Sequence, residues 1–293
     1  MHILLFGKNG QVGWELQRTL GTLGELTALD YPEIDFTDID AIRQTVRRER
    51  PGVIVNAAAY TAVDKAESEP EIATAINAAA SGVLAEEALR LGIALIHYST
   101  DYVFDGSKGS PYSEADAPNP LNVYGKSKLA GERVIQETGG SYLILRTSWV
   151  YSMRQGGFVT KVLEWARRQP ALKIVDDQVG NPTSCRMLAE ATAQLLAMAG
   201  SDISHWAGER CGVYHLGGDG TASRYQWAAE IIRNDPRREE QVVRELLPAR
   251  TVDFPTPAQR PLFSALDCSH FTTVFGLRLP PWQKALQLMM QSS

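Results

Sequence analysis

Three glycines spaced G-x-x-G-x-x-G, in Gly7-Lys8-Asn9-Gly10-Gln11-Val12-Gly13, stand between an apolar run (Ile3 to Phe6) and a helical pattern (Val12 to Leu20). No other segment constrains the chain so strongly. A glycine allows the tight turn, a second lets backbone N–H groups approach a pyrophosphate, and the third permits close helix–strand packing. The plain alternative is a tight turn with no ligand. The strand–turn–helix context favours a dinucleotide, and so does Asp30, an acid at the end of the second apolar run, placed to bond an adenosine ribose hydroxyl. A carboxylate there repels a 2′-phosphate, which leans towards NADH with NADPH tolerated. Asp35 and Phe36 are candidates to flank the adenine, and Ala58-Ala59-Tyr60-Thr61 leaves the third run near the middle of the cofactor.

The rhythm set by that first unit repeats. Short apolar runs at Leu26–Leu29, Val53–Val55, Ile93–Tyr98 and Tyr142–Leu145 alternate with helical patterns at Ile39–Arg48, Ala73–Leu91 and Lys126–Glu137. Strands apolar on both faces and separated by helices imply a parallel sheet covered on both sides. The expected fold class is α/β: a doubly wound parallel sheet of the Rossmann type with a smaller, interleaved C-terminal lobe. Residues 1–150 read as the dinucleotide-binding domain, completed by parts of 185–216. Residues 151–293 read mainly as a substrate lobe, with Val213–Leu216 a strand able to extend the parent sheet. The segment 105–122, rich in Gly, Ser and Pro, reads as a substrate-facing loop.

Composition narrows the partners. The formal charge is −5, and the basic runs Arg47-Arg48-Glu49-Arg50 and Arg237-Arg238 are mixed with acids, so neither nucleic acid nor an anionic membrane is expected. Cys185, Cys211 and Cys268 are odd in number and far apart, and the five histidines do not cluster, so no disulfide framework and no metal site are expected. The chain opens directly on strand residues and holds no run of about 18 apolar residues. It is expected to be cytoplasmic.

Tyr124-Gly125-Lys126-Ser127-Lys128 carries the chemistry. Four residues apart on a helix, Tyr124 and Lys128 share a face. A phenol with pKa about 10 is a poor acid–base group at neutral pH, but a lysine ammonium and an oxidised nicotinamide would lower it. Tyr124 would protonate a carbonyl oxygen as hydride reaches the carbon, and Lys128 would also bond the nicotinamide ribose. Tyr-x-x-x-Lys alone arises by chance on exposed helices. It gains meaning from Ser99-Thr100-Asp101 at the end of the fourth strand, where reacting groups belong. Thr100 would hold the substrate carbonyl, with Ser99 its competitor, while His97 reads as a packed strand histidine.

Together the glycine turn, Ser99-Thr100-Asp101-Tyr102-Val103-Phe104 and Tyr124-x-x-x-Lys128 resemble the extended short-chain dehydrogenase/reductases. Residues 56–67 (NAAAYTAVDKAE), 146–151 (RTSWVY), Asp177-Gln178-x-Gly180-x-Pro182-Thr183 and Pro257-Ala258-x-Arg260-Pro261 narrow the resemblance to the dTDP-4-dehydrorhamnose reductase family. The resemblance implies reduction of the 4-keto group of a dTDP-6-deoxy-hexulose to dTDP-L-rhamnose. It implies Tyr124, Lys128 and Thr100 as catalytic residues, and Asp101 and Trp149 lining the sugar pocket. Gly10, Gln11, Val12, Asp30, Ala59, Tyr60, Thr61 and Tyr98 would hold the cofactor. Arg260 is a candidate for the diphosphate, since a guanidinium fork matches phosphate oxygens; a surface ion pair is its alternative. Some members carry magnesium at an interface of glutamates. Glu15 would suit, but Arg186 and the ending Gln291-Ser292-Ser293 supply no acid, so no magnesium-bridged dimer is expected, although a homodimer stays open. A 4,6-dehydratase would need a further carboxyl group where Tyr102 stands. A 4-epimerase, a reductase of another keto-sugar and a cofactor-binding regulatory subunit also remain open.

Overall fold

Five N-terminal apolar runs form strands: β1 (His2–Phe6), β2 (Glu25–Leu29), β3 (Val53–Asn56), β4 (Ala94–Thr100) and β5 (Ser141–Thr147). A sixth strand, Gly212–His215, joins from far down the chain. The computed structural model describes residues 1–154 and 156–291. All six strands are parallel, in the order Gly212–His215, β5, β4, β3, β1, β2. Leu5 lies level with Ala28 on one side and Val55 on the other. The chain runs from β1 outward to β2, then crosses back past β1 to β3. The crevice beyond the carboxyl ends of the strands at such a reversal is the usual ligand site of these sheets.

Both faces are covered because the central strands are apolar on both. Helix α1 (Gln11–Leu20) and the helix Cys185–Ala199 pack on one face, around Ile3, Leu5, Ile96 and Tyr98. Leu16 and Leu20 of α1 are fully buried, each contributing about 2 kcal/mol as an upper figure. Helix α2 (Ile39–Glu49) and the helices Ala80–Leu91 and Val123–Thr138 cover the other face, around Leu4, Phe6, Ile54 and Ile144. Glu87 on this side is buried yet paired with Arg43, Arg47 and Arg90 at 3.2, 2.7 and 2.7 Å.

The helix expected over Ala73–Leu91 is not continuous. A short helix, Pro70–Thr74, runs into a wider π turn at Ala75–Ala79 before Ala80–Leu91 begins. The alanine-rich pattern hides this because both geometries suit alanine. At the turn, the Asn77 carbonyl meets the helix Val123–Thr138 so closely that a Cβ on Gly131 would lie 2.1 Å from its oxygen.

Residues beyond Trp149 build a second layer. The strand Ala171–Val175 pairs in parallel with Glu245–Ala249. The helices Phe158–Arg168, Arg224–Arg233 and Trp282–Gln291 close over Tyr151, Trp227 and Trp282. The intervening stretch returns to the parent sheet through Cys185–Ala199 and Gly212–His215. No described helix is long and apolar enough to cross a membrane.

Candidate active site

The glycine turn is built for close approach. Gly7 has φ +86, and a Cβ there would lie 2.4 Å from the Ala58 nitrogen. A Cβ on Gly13 would sit 1.9 Å from the Gly7 carbonyl oxygen. No side chain caps α1, whose N-cap is Gly10. The first amides of the helix therefore keep their donors for an anion, as a pyrophosphate site requires. Gln11 accepts a bond from Ser152 at 2.8 Å, tying the turn to the second layer. The Asp30 carboxylate accepts from the backbone of Asn9 at 2.9 Å and of Tyr31 at 2.8 Å, bracing the turn.

Other expected cofactor contacts divide between backbone and side chain. Asn77 holds Tyr60 by both backbone groups, at 2.8 and 3.2 Å, while the Tyr60 hydroxyl donates to Glu69 at 2.6 Å. Ala58 is buried against the Gly7 turn, with Ala59 and Thr61 on the same stretch towards the crevice. Asp35 accepts from the backbone and hydroxyl of Thr37, bonds that lower its pKa. Two rings turn inward. Phe36 is buried edge-on against Phe6, with centroids 5.8 Å apart. Tyr98 bonds Thr192 of the helix Cys185–Ala199 at 2.5 Å. For a ligand in the crevice these two leave backbone, not aromatic surface.

The chemical centre lies at the carboxyl end of β4. Asn122 caps the helix Val123–Thr138 by accepting from Gly125 N at 2.8 Å, which sets Tyr124 in the first turn and Lys128 one turn below. The Thr100 hydroxyl accepts from Tyr102 N at 3.1 Å and lies near enough to the Tyr124 hydroxyl to influence its ionisation. Lys128 is buried and donates to the Tyr98 carbonyl at 2.7 Å. Ser99 instead faces away, donating to Glu132, which also takes two bonds from Arg146 at 2.9 and 2.6 Å. Glu132 therefore holds Ser99 out of competition with Thr100.

The lysine part of the expected lowering of the Tyr124 phenol is not seen here. In the protein alone burial pushes its pKa above the ordinary value; the Thr100 hydroxyl opposes this and the Asp101 charge adds to it. Lys128 is not among the groups acting on it. Burial also lowers Lys128 to about 8, against the pull of Glu132. Asp101 is raised to about 6 by burial, although Ser264 and Ser148 donate to it at 2.5 and 3.0 Å.

Sequence reasoning missed Arg224. Its guanidinium lies 3.6 Å above the Trp149 ring and is close enough to Tyr102 to act on its ionisation. Trp149 is held at φ +44, and a Cβ on Gly180 would enter its ring at 2.6 Å. Arg260 pairs with Asp64 at 2.8 Å, while its other terminal nitrogen is buried with no partner among the described residues. Both arginines act on Tyr102. Arg224, Ser148 and Ser264 stand in no recognisable spacing to the motifs, and only Ser148 lies inside one.

A tightly folded glycine turn, a hydroxyl–phenol pair at the end of β4 and two arginines acting on Tyr102 invite comparison with known proteins. The family model described as RmlD substrate binding domain matches residues 1–293. The dTDP-4-dehydrorhamnose reductase of Shigella flexneri is 44% identical, over 99% of this chain and 97% of that protein. The chain belongs to the dTDP-4-dehydrorhamnose reductase family. Solved members agree in shape. That of Clostridium acetobutylicum has a TM-score of 0.91 at 34% identity, covering 100% of this chain and 99% of its own. That of Bacillus anthracis, in complex with NADP, has a TM-score of 0.89 at 31% identity, with the same coverage.

Glu15 pairs with Arg186 at 3.6 Å, and no group of three or more His, Cys, Asp or Glu among the described residues is arranged to hold a metal. Ser292 and Ser293 lie outside the described residues.

Proposed function

We propose that this chain reduces the 4-keto group of dTDP-4-dehydro-L-rhamnose to dTDP-L-rhamnose with NADPH or NADH, in the cytoplasm, as a step in making rhamnose for surface polysaccharide. The observation that carries this is the Thr100–Tyr124 pair at the carboxyl end of β4, in the same parallel sheet whose first strand ends in the glycine turn. The turn fits a dinucleotide: Gly7 and Gly13 let it fold tightly on itself and against Ala57 and Ala58, and no side chain caps the start of α1. When bound, the reduced cofactor supplies the hydride.

The chain's own residues do the rest. Gly10, Gln11 and Val12 would present amides to the pyrophosphate, and Asp30 would meet the adenosine ribose. Thr100 would orient the ketone oxygen towards Tyr124. Because burial keeps the phenol protonated, Tyr124 is an acid across the neutral range, as a donor to a developing alkoxide must be. The carbonyl carbon gains the hydride, the oxygen gains the Tyr124 proton, and a secondary alcohol results. Asp101 and Trp149 line the sugar site, with Asp101 held by Ser148 and Ser264. Arg260 keeps a buried terminal nitrogen with no partner among the described residues, suited to a diphosphate oxygen. Loss of absorbance at the reduced nicotinamide band, on adding the 4-keto nucleotide sugar, tests the reading. Cofactor binding without oxidation would point to a regulatory subunit, and oxidation with a different keto-sugar alone would overturn the substrate.

A further inference from the structure

Asn56, His97 and Lys128 form a buried line of hydrogen bonds from β3 across β4 to the amine behind Tyr124. The reaction as derived above makes no use of His97. Its protonation nevertheless follows from donor and acceptor geometry. The backbone N–H of Ala58 can only donate, and it reaches Asn56 Oδ1 at 3.1 Å. This orients the amide, so Asn56 Nδ2 is the atom facing His97 Nδ1 at 3.0 Å. An amide NH₂ also only donates, so Nδ1 accepts and carries no hydrogen. The ring is then neutral with its hydrogen on Nε2, which faces Lys128 Nζ at 3.2 Å. That N–H needs a lone pair opposite it. An ammonium has none, whereas a neutral amine accepts from His97 while donating to the Tyr98 carbonyl at 2.7 Å.

We propose that Asn56 and His97 are positioning residues: Asn56 locks the His97 tautomer, and His97 in turn disfavours the Lys128 ammonium in the cofactor-free enzyme. Lys128 then gives up its proton more readily than a free lysine does. The surroundings agree. From β4 the amine meets the His97 N–H and the Tyr98 carbonyl. From its own helix it meets Glu132, whose carboxylate is engaged by Arg146 of β5 and Ser99 of β4. Tyr124, one turn away, is itself neutral. Glu132 favours the ammonium, but burial outweighs it and brings Lys128 down to about 8. Burial and Lys128 together keep His97 well below its ordinary value.

The His97 tautomer follows from the hydrogen bonds; its catalytic meaning rests on the reductase reading. Two NMR readouts on the full-length, cofactor-free enzyme test it. Imidazole ¹⁵N–¹H correlation should show His97 protonated on Nε2 only. With ¹³C-labelled lysine, the Cε signal that disappears in Lys128→Met should titrate near pH 8. His97 protonated on Nδ1, or Lys128 titrating at an ordinary value of about 10.4, would overturn the proposal without any variant having to fold. Asn56→Asp supplies an oxygen to Nδ1 in place of a donor. The ring hydrogen should move to Nδ1, and the Lys128 midpoint should rise by roughly one unit or more. The alkaline limb of turnover should rise with it. An unchanged tautomer and midpoint in that variant would also overturn it. Neither NMR readout involves the keto-sugar, so failure of the assigned substrate is a separate result.

Discussion

Replacing Tyr124 with phenylalanine removes one oxygen and hardly any volume, so it separates the fold from the chemistry. In the fold the lost group is a hydroxyl near Thr100. Thr100 keeps Asp101 at 3.2 Å and the Tyr102 amide at 3.1 Å, and the ring keeps its edge contact with Tyr102 at 5.9 Å. No partner is stranded, so stability should fall by about 1 kcal/mol or less, one neutral hydrogen bond. In the reaction the loss is the proton at the ketone oxygen. A positioned acid contributes about two to four orders of magnitude, or about 2.7 to 5.5 kcal/mol of barrier. Because the phenol is held above its ordinary pKa, the deficit should be flat from about pH 6 to 8, where Tyr124 stays protonated throughout. Turnover is read from nicotinamide absorbance, cofactor affinity from fluorescence, and stability from thermal unfolding. Turnover within tenfold of wild type refutes the assignment. A fall in cofactor affinity as large as the fall in turnover would show that the residue binds and does not protonate.

Lys128→Met should lower both turnover and cofactor affinity, since the amine sits between the Tyr98 carbonyl and the crevice; a change in only one would contradict its double role. Gly13→Ala forces a methyl to within 1.9 Å of the Gly7 carbonyl, so cofactor affinity should fall at least about tenfold through the displaced turn, measured by titration; unchanged affinity would remove the turn from the site. Arg224→Gln takes a cation off the Trp149 ring and should weaken nucleotide-sugar binding about tenfold or more while sparing the cofactor, checked by separate KM measurements. Glu87 is held at about 2 because three arginines overcome its burial. Its folded pKa is depressed, so its contribution is complete above about pH 4.5 and is lost as pH falls through 2. That contribution is about 3 kcal/mol at most, because the arginines are partly in water. Urea unfolding of Glu87→Gln should show a shallower loss of stability over that acid range, and an identical acid profile would refute the role.

Much of the site was legible because its signals are local. The order of apolar runs, the glycine spacing and the four-residue step from Tyr124 to Lys128 are short-range features of one backbone. They express strand alternation, turn sterics and helix pitch, which neighbours along the chain set. The Ala73–Leu91 pattern marks the limit of such signals: composition alone did not reveal the π turn that brings Asn77 to Tyr60 and Ser127.

What the sequence by itself determined is the parallel sheet, the phosphate turn and the presence of an acid pair at the end of β4. Only the tertiary structure decided how those groups behave. Asp101 is held by Ser148 and Ser264, 47 and 163 residues away, and Trp149 receives its cation from Arg224. Tyr98 turns to Thr192, on the far side of the sheet from His97 and Lys128. Protonation is the sharpest case. Whether Tyr124 is an acid and how readily Lys128 gives up its proton depend on removal from water and on which donors and acceptors surround them, and those come from strands and helices that folding alone brings together.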